Sequence, residues 1–152
     1  MATEIERKFL VVTDDYRRLA CCRHEIRQGY LSRVPERTVR VRICDDTACI
    51  TIKGRAVGAA RPEFEYTIPL DDARQLMTLC EPPVIVKTRH IVIHEGNRWE
   101  VDEFHDELQG LVIAELEIPD VEHRFALPDF LGREVTDDRR YYNASLGTNG
   151  NR

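Results

Sequence analysis

The chain has 152 residues, with 22 Lys and Arg against 27 Asp and Glu, for a formal charge of −5. That length favours one domain that buries a core without disulfide or metal staples, and a hydrophobic share of 42% argues against disorder. The acidic balance argues against a general nucleic-acid binder. No apolar run reaches the length of a membrane span, and acids in the opening MATEIERKFLVV stand where a signal peptide needs a basic region.

Apolar residues recur with period two through most of the chain, which predicts strands. The first, 3–11, sets Ile5, Phe9 and Val11 on one face and Glu4, Glu6 and Lys8 on the other. Thr13 is placed to cap a helix over 14–20. Strand 24–33 carries Gln28 and Tyr30 on one face. Strand 37–44 opposes Val39, Val41 and Ile43 to Arg40 and Arg42, and Asp45 and Asp46 read as a tight connection to strand 47–53, where Ile50 and Ile52 oppose Thr51 and Lys53. Residues 54–61 read as a mobile loop; Gly54 and Gly58 are not followed by the Lys-Ser/Thr of a phosphate-binding loop. Strand 62–69 opposes Phe64, Tyr66 and Ile68 to Glu63 and Glu65. Residues 71–80 place Ala73, Leu76, Met77 and Cys80 at helical spacing behind Asp71 and Asp72. Strand 84–94 has Lys87 and Arg89 on one face. Strand 97–104 opposes Trp99 and Val101 to Glu100 and Asp102. Strand 111–118 opposes Leu116 and Ile118 to Glu115 and Glu117. A short turn follows Pro128, Thr136 is placed to cap a helix over 137–146, and 147–152 read as a frayed tail.

The second face of these strands is sorted by sign: Arg-x-Arg and Lys-x-Arg on some, Glu-x-Glu or Glu-x-Asp on others. A solvated face mixes in Ser, Thr, Asn and Gln instead. Carboxylates suit hard cations such as Mg²⁺ or Mn²⁺, and Arg forks and Lys ammonium groups suit phosphate oxygens. The pattern therefore implies an α+β fold, mainly antiparallel β, with eight strands closed into a barrel, a charged lumen and a few helices packed outside. The odd count of five cysteines, Cys21, Cys22, Cys44, Cys49 and Cys80, without a Cys-x-x-Cys, reads as reduced thiols in a cytoplasmic protein. His90 and His94 are four apart, a zinc spacing on a helix, but they lie in a β-patterned run. Trp99 reads as wall. Tyr30 reads equally as a lining residue or a packed one.

The ordered set of motifs resembles the CYTH superfamily, the triphosphate tunnel metalloenzymes, and within it the small bacterial-type inorganic triphosphatases. It comprises Glu4, Glu6 and Lys8; Gln28 and Tyr30; Arg40 and Arg42; Lys53; Glu63 and Glu65; Lys87 and Arg89; Glu100 and Asp102; Glu115 and Glu117; and the run from Val135 to Leu146. The resemblance spans nearly the whole chain and implies one tunnel domain over 1–146. It implies that Glu4, Glu6, Glu115 and Glu117 bind one or two divalent metal ions, Mg²⁺ or Mn²⁺. It also implies that Lys8, Arg40, Arg42, Lys53, Lys87 and Arg89 hold the phosphates. Glu63, Glu65, Glu100 and Asp102 match further tunnel acids and join Glu4, Glu6 and Lys8 as the catalytic set. Arg139 and Arg140 read equally as surface charge or as part of the tunnel mouth. The activity implied is metal-dependent hydrolysis of inorganic triphosphate by a monomer or homodimer, with no nucleic-acid or membrane partner. Three alternatives stay open: a class IV-type adenylate cyclase, a thiamine or nucleoside triphosphatase, and a non-catalytic polyphosphate-binding module.

Overall fold

A computed structural model describes residues 5–55, 57, 61–142 and 145–146. Nine strands and two α-helices lie among them. In order they are β1 (Ile5–Val11), α1 (Asp15–Leu19), β2 (Cys22–Ser32), β3 (Arg37–Cys44), β4 (Thr47–Gly54) and β5 (Glu63–Thr67), then α2 (Leu70–Met77), β6 (Glu81–His94), β7 (Asn97–Phe104), β8 (Val112–Ile118) and β9 (Leu131–Glu134). The expected class, mainly antiparallel β with few helices, is the one found. Two compact units divide the chain, one around Glu25–Val86 and the other from Glu4–His24 with Lys87–Arg152.

The first unit runs β5-β4-β3-β2-β6, using 25–32 of β2 and 81–86 of β6. Its tight turn falls at Asp45 and Asp46, as expected, and Asp45 adopts φ 54°. One sheet face is apolar. Val41 and Ala48 pack there with Ile43 and Ile50, and Ala73 and Met77 of α2 cover them. The helix leaves little room: a Cβ on Gly29 would lie 2.8 Å from the Cβ of Cys80. This close approach is why β2 carries a glycine mid-strand. β5 is an edge strand exposed along its whole length, so Phe64 and Tyr66 face solvent.

The second unit runs β6-β7-β8-β1-β9, using 87–94 of β6. Its apolar face gathers Phe9, Val92, Trp99, Val101, Ala114, Leu116 and Ile118 under Tyr16 of α1 and Phe130. Trp99 is wall, as expected: fully buried, it meets Phe9 and Phe125 edge-on at 5.7 and 5.8 Å between ring centroids.

Three local expectations change. Thr13 gives α1 no side-chain cap; its hydroxyl donates to Asp15 at 3.2 Å. Of the helix expected over 137–146, the described residues show a 3₁₀ turn at Arg139–Tyr141, capped by Asp138 rather than Thr136, while 143 and 144 lie outside the described residues. Thr136 is diverted: its hydroxyl accepts from the Lys8 backbone N–H at 3.0 Å and bonds Glu134. β9, which pairs with β1, lacks the alternation that marks the others. The expected frayed tail, 147–152, lies outside the described residues, as do 56 and 58–60 of the 54–61 loop.

Candidate active site

The apolar core of each unit takes one face of its strands, and alternation leaves the charged residues on the other. In the second unit that face carries Glu6 and Lys8 of β1, Glu115 and Glu117 of β8, Glu100 and Asp102 of β7, and Lys87 and Arg89 of β6. Register sets Lys8 and Glu100 opposite Glu115, Glu6 opposite Glu117, and Arg89 opposite Asp102.

Asp102 is the hub of this face. It is 1% exposed, and Lys87, 0% exposed, donates to its Oδ2 at 2.7 Å. Arg89 grips the same carboxylate with two bonds, 2.8 Å to Oδ1 and 3.0 Å to Oδ2. Burial alone would push Asp102 up; the two cations outweigh it and hold the carboxyl far below its ordinary range. Burial likewise works against the charge on Arg89, and Asp102, Glu100 and Glu115 overcome it. Such a carboxylate favours its anionic form and is a poor proton acceptor.

Glu115 is the opposite case. Lys8 lies 3.7 Å away, yet burial, together with Glu6 and Asp102, raises its carboxyl above the ordinary range. Burial is the largest cause, and the neighbouring acids add to it. Lys8 also lies 5.2 Å from the ring centroid of Tyr142, a contact the strand pattern could not reveal because Tyr142 sits outside any strand.

In the first unit, Arg40 and Arg42 of β3 share their face with Gln28 and Tyr30 of β2, Thr51 and Lys53 of β4, and Glu63 and Glu65 of β5. Arg40 donates to Thr51 Oγ1 at 3.3 Å, and Thr51 donates to Glu65 at 3.3 Å, so the hydroxyl relays one strand's cation to another's acid. Lys53 lies 3.8 Å from Glu63. Tyr30 is packed, with the Arg33 guanidinium 5.4 Å from its ring centroid. Gln28, 0% exposed, accepts from Arg42 Nε at 2.9 Å.

Every expected site residue among those described lies on one of these two faces; Glu4 lies outside the described residues. His90 packs on the opposite face of β6, edge-on to Tyr16 at 5.0 Å, with Nε2 3.1 Å from Glu103. Arg140 folds back on Asp138 at 2.7 Å, and Arg139 is exposed. No helix among the described residues is long and apolar enough to cross a membrane.

Comparison with known proteins gives the same outline. The CYTH domain matches residues 2–145. The inorganic triphosphatase of Acetivibrio thermocellus is 47% identical over 150 residues, covering 98% of this chain and 96% of that protein. The inorganic triphosphatase of Nitrosomonas europaea is 34% identical over 149 residues, covering 95% and 96%. The crystal structure of the inorganic triphosphatase NE1496 superposes with a TM-score of 0.73 at 30% identity, covering 95% of this chain and 94% of that one.

Proposed function

The chain belongs to the CYTH domain family, and from that premise we propose that it is an inorganic triphosphatase, a metal-dependent hydrolase of a phosphoanhydride bond. The family match over 2–145 supports reading 1–146 as one domain. The observation that carries the function is where the charge falls. Each unit gives one strand face to an apolar core and the other to acids and cations, an expensive use of a sheet unless a polyanion and its counter-ions bind there.

Lys8, Arg40, Arg42, Lys53, Lys87 and Arg89 are the residues assigned to hold phosphate oxygens, as the family resemblance implies. Arg forks match pairs of oxygens, and Lys ammonium groups act as point charges. Asp102 positions Lys87 and Arg89 rather than acting as a base, since both of its oxygens are engaged. Glu63, Glu65 and Glu100 are the acids left to orient water for in-line attack on the terminal phosphorus. The water oxygen bonds to the terminal phosphorus as the anhydride bond breaks, its proton passing to one of these carboxylates and on to solvent, and orthophosphate and pyrophosphate are the products.

The donor set fits a divalent ion. It is all carboxylate, a hard-oxygen set suited to Mg²⁺ or Mn²⁺, with Glu115 opposite both Lys8 and Glu100 and Glu117 opposite Glu6 in the strand registers. Glu6, Glu115 and Glu117, with Glu4, would hold one or two such ions. A bound ion would neutralise charge on the phosphate oxygens of the leaving group. Five free cysteines support a reducing, cytoplasmic setting for a monomer or homodimer.

The test is kcat/KM for tripolyphosphate, pyrophosphate and ATP at one pH and one Mg²⁺ concentration, with phosphate and cyclic AMP read separately. Tripolyphosphate is expected to exceed the other two by more than tenfold, because pyrophosphate leaves part of the cationic ladder empty. Equal or faster turnover of ATP, or cyclic AMP as the main product, would overturn the reading.

A further inference from the structure

We propose that Gln28 is a substrate-binding residue whose side-chain N–H donates to a phosphate oxygen of the triphosphate, beside Arg40 and Arg42. The inference rests on the triphosphatase reading and adds a residue that carries no charge.

Gln28 is fully enclosed on the charged face of β2, opposite Arg42 in the β2–β3 register. A guanidinium has only donors, so the 2.9 Å contact with Arg42 Nε fixes which end of the amide is oxygen. The other end is then Nε2, with two hydrogens to give. Among the described residues Nε2 has no acceptor, and neither has the buried Nε of Arg40. Arg40 stands two residues along β3 from Arg42, on the same face. Two enclosed donors without acceptors, one on each of two paired strands, are costly in the empty protein.

The chemistry of the missing partner follows. An amide N–H cannot ligate a metal, and Arg40 and Arg42 would repel one. An apolar ligand would leave both donors unpaired. What satisfies a neutral donor flanked by guanidinium groups is an anionic oxygen, here that of the triphosphate. Gln28 thus has two tasks: its oxygen aims Arg42, and its nitrogen completes the donor set. A glutamate here would keep the first task and reverse the second, which separates them by experiment.

Gln28→Glu and Gln28→Met are compared with wild type for steady-state tripolyphosphate hydrolysis at fixed Mg²⁺, and for melting temperature without substrate. Gln28→Glu keeps an acceptor for Arg42 and is expected to raise KM at least tenfold with kcat changed less than threefold. Gln28→Met removes both the unsatisfied donor and the acceptor of Arg42 Nε, so its ligand-free melting temperature is expected to fall only modestly, with KM raised about fivefold or more. A fall in melting temperature with KM unchanged in both variants would make Gln28 structural and overturn the assignment. Wild-type KM in both variants at unchanged stability would also overturn it, leaving water as the acceptor. Absence of tripolyphosphate turnover in wild type would remove the triphosphatase reading itself and this assignment with it.

Discussion

Asp102 and Glu115 carry the same functional group on neighbouring strands and behave oppositely. Asp102 is held ionised by Lys87 and Arg89, whereas burial and two nearby acids discourage ionisation of Glu115. Replacing Asp102 with Asn removes the buried carboxylate that both Lys87 and Arg89 grip, so a loss of about 3–5 kcal/mol in unfolding free energy is expected by denaturant titration. The pH dependence has a definite sign. A carboxyl whose folded pKa lies below its ordinary 3.8 stabilises the fold above that value, and the contribution is lost as pH falls toward the folded pKa. Wild type should therefore lose stability steeply below about pH 4, and Asp102→Asn should show a flatter profile there. Glu115→Gln should act the other way: kcat/KM falls at least about a hundredfold, while the metal-free melting temperature does not drop, because a disfavoured charge has been removed. A destabilised Glu115→Gln protein would count against a ligand role. Alternation showed which acids and cations share a face. It did not show that Asp102 is gripped by Lys87 and Arg89 while Glu115 has Lys8 at 3.7 Å, since that depends on how far each side chain reaches across the strand pairs.

At the scale of elements, what the chain revealed depended on how local the cause was. The strands from β1 to β8 were readable within a few residues because all but the exposed edge strand β5 hide one face, and a period of two records that demand locally. β9 was not readable: Leu131, Gly132, Arg133 and Glu134 carry no alternation, and they form a strand because β1 offers a free edge. The cap of the C-terminal segment was misplaced for a related reason. Thr136 has the chemistry of a cap, but its hydroxyl is taken by Lys8 and Glu134, and Asp138 caps a shorter turn instead. Gly29 is the point at which α2 constrains the sheet most directly. Gly29→Ala would drive a methyl group into the Cβ of Cys80, an atom that cannot swing aside. A loss of about 1–3 kcal/mol is expected from chemical denaturation. Unchanged stability would mean that the segment after α2 yields readily.

For the molecule as a whole, the sign of the charge differs between the two charged faces. In the first unit Arg40, Arg42 and Lys53 face two acids, Glu63 and Glu65. In the second, Lys8, Lys87 and Arg89 face Glu6, Glu100, Asp102, Glu115 and Glu117. With a net charge of −5 on the chain, a polyanion approaching without counter-ions meets repulsion from the excess acids. Mg²⁺ alone meets the cations, and the two ligands together neutralise each other's cost. Binding of one should therefore strengthen binding of the other, and the coupling is reciprocal. Thermal unfolding reads this directly. In EDTA, tripolyphosphate should shift the melting temperature little, and Mg²⁺ without tripolyphosphate should also shift it little. Both together, near a hundredfold excess over Kd and read before turnover depletes the substrate, should stabilise by about 2.7 kcal/mol, roughly 5–10 °C for a domain of this size. Removing the metal should abolish hydrolysis, and Mg²⁺ or Mn²⁺ should restore it. A full shift by tripolyphosphate in EDTA would show that the cations suffice alone, and the acids of the second unit would need another explanation.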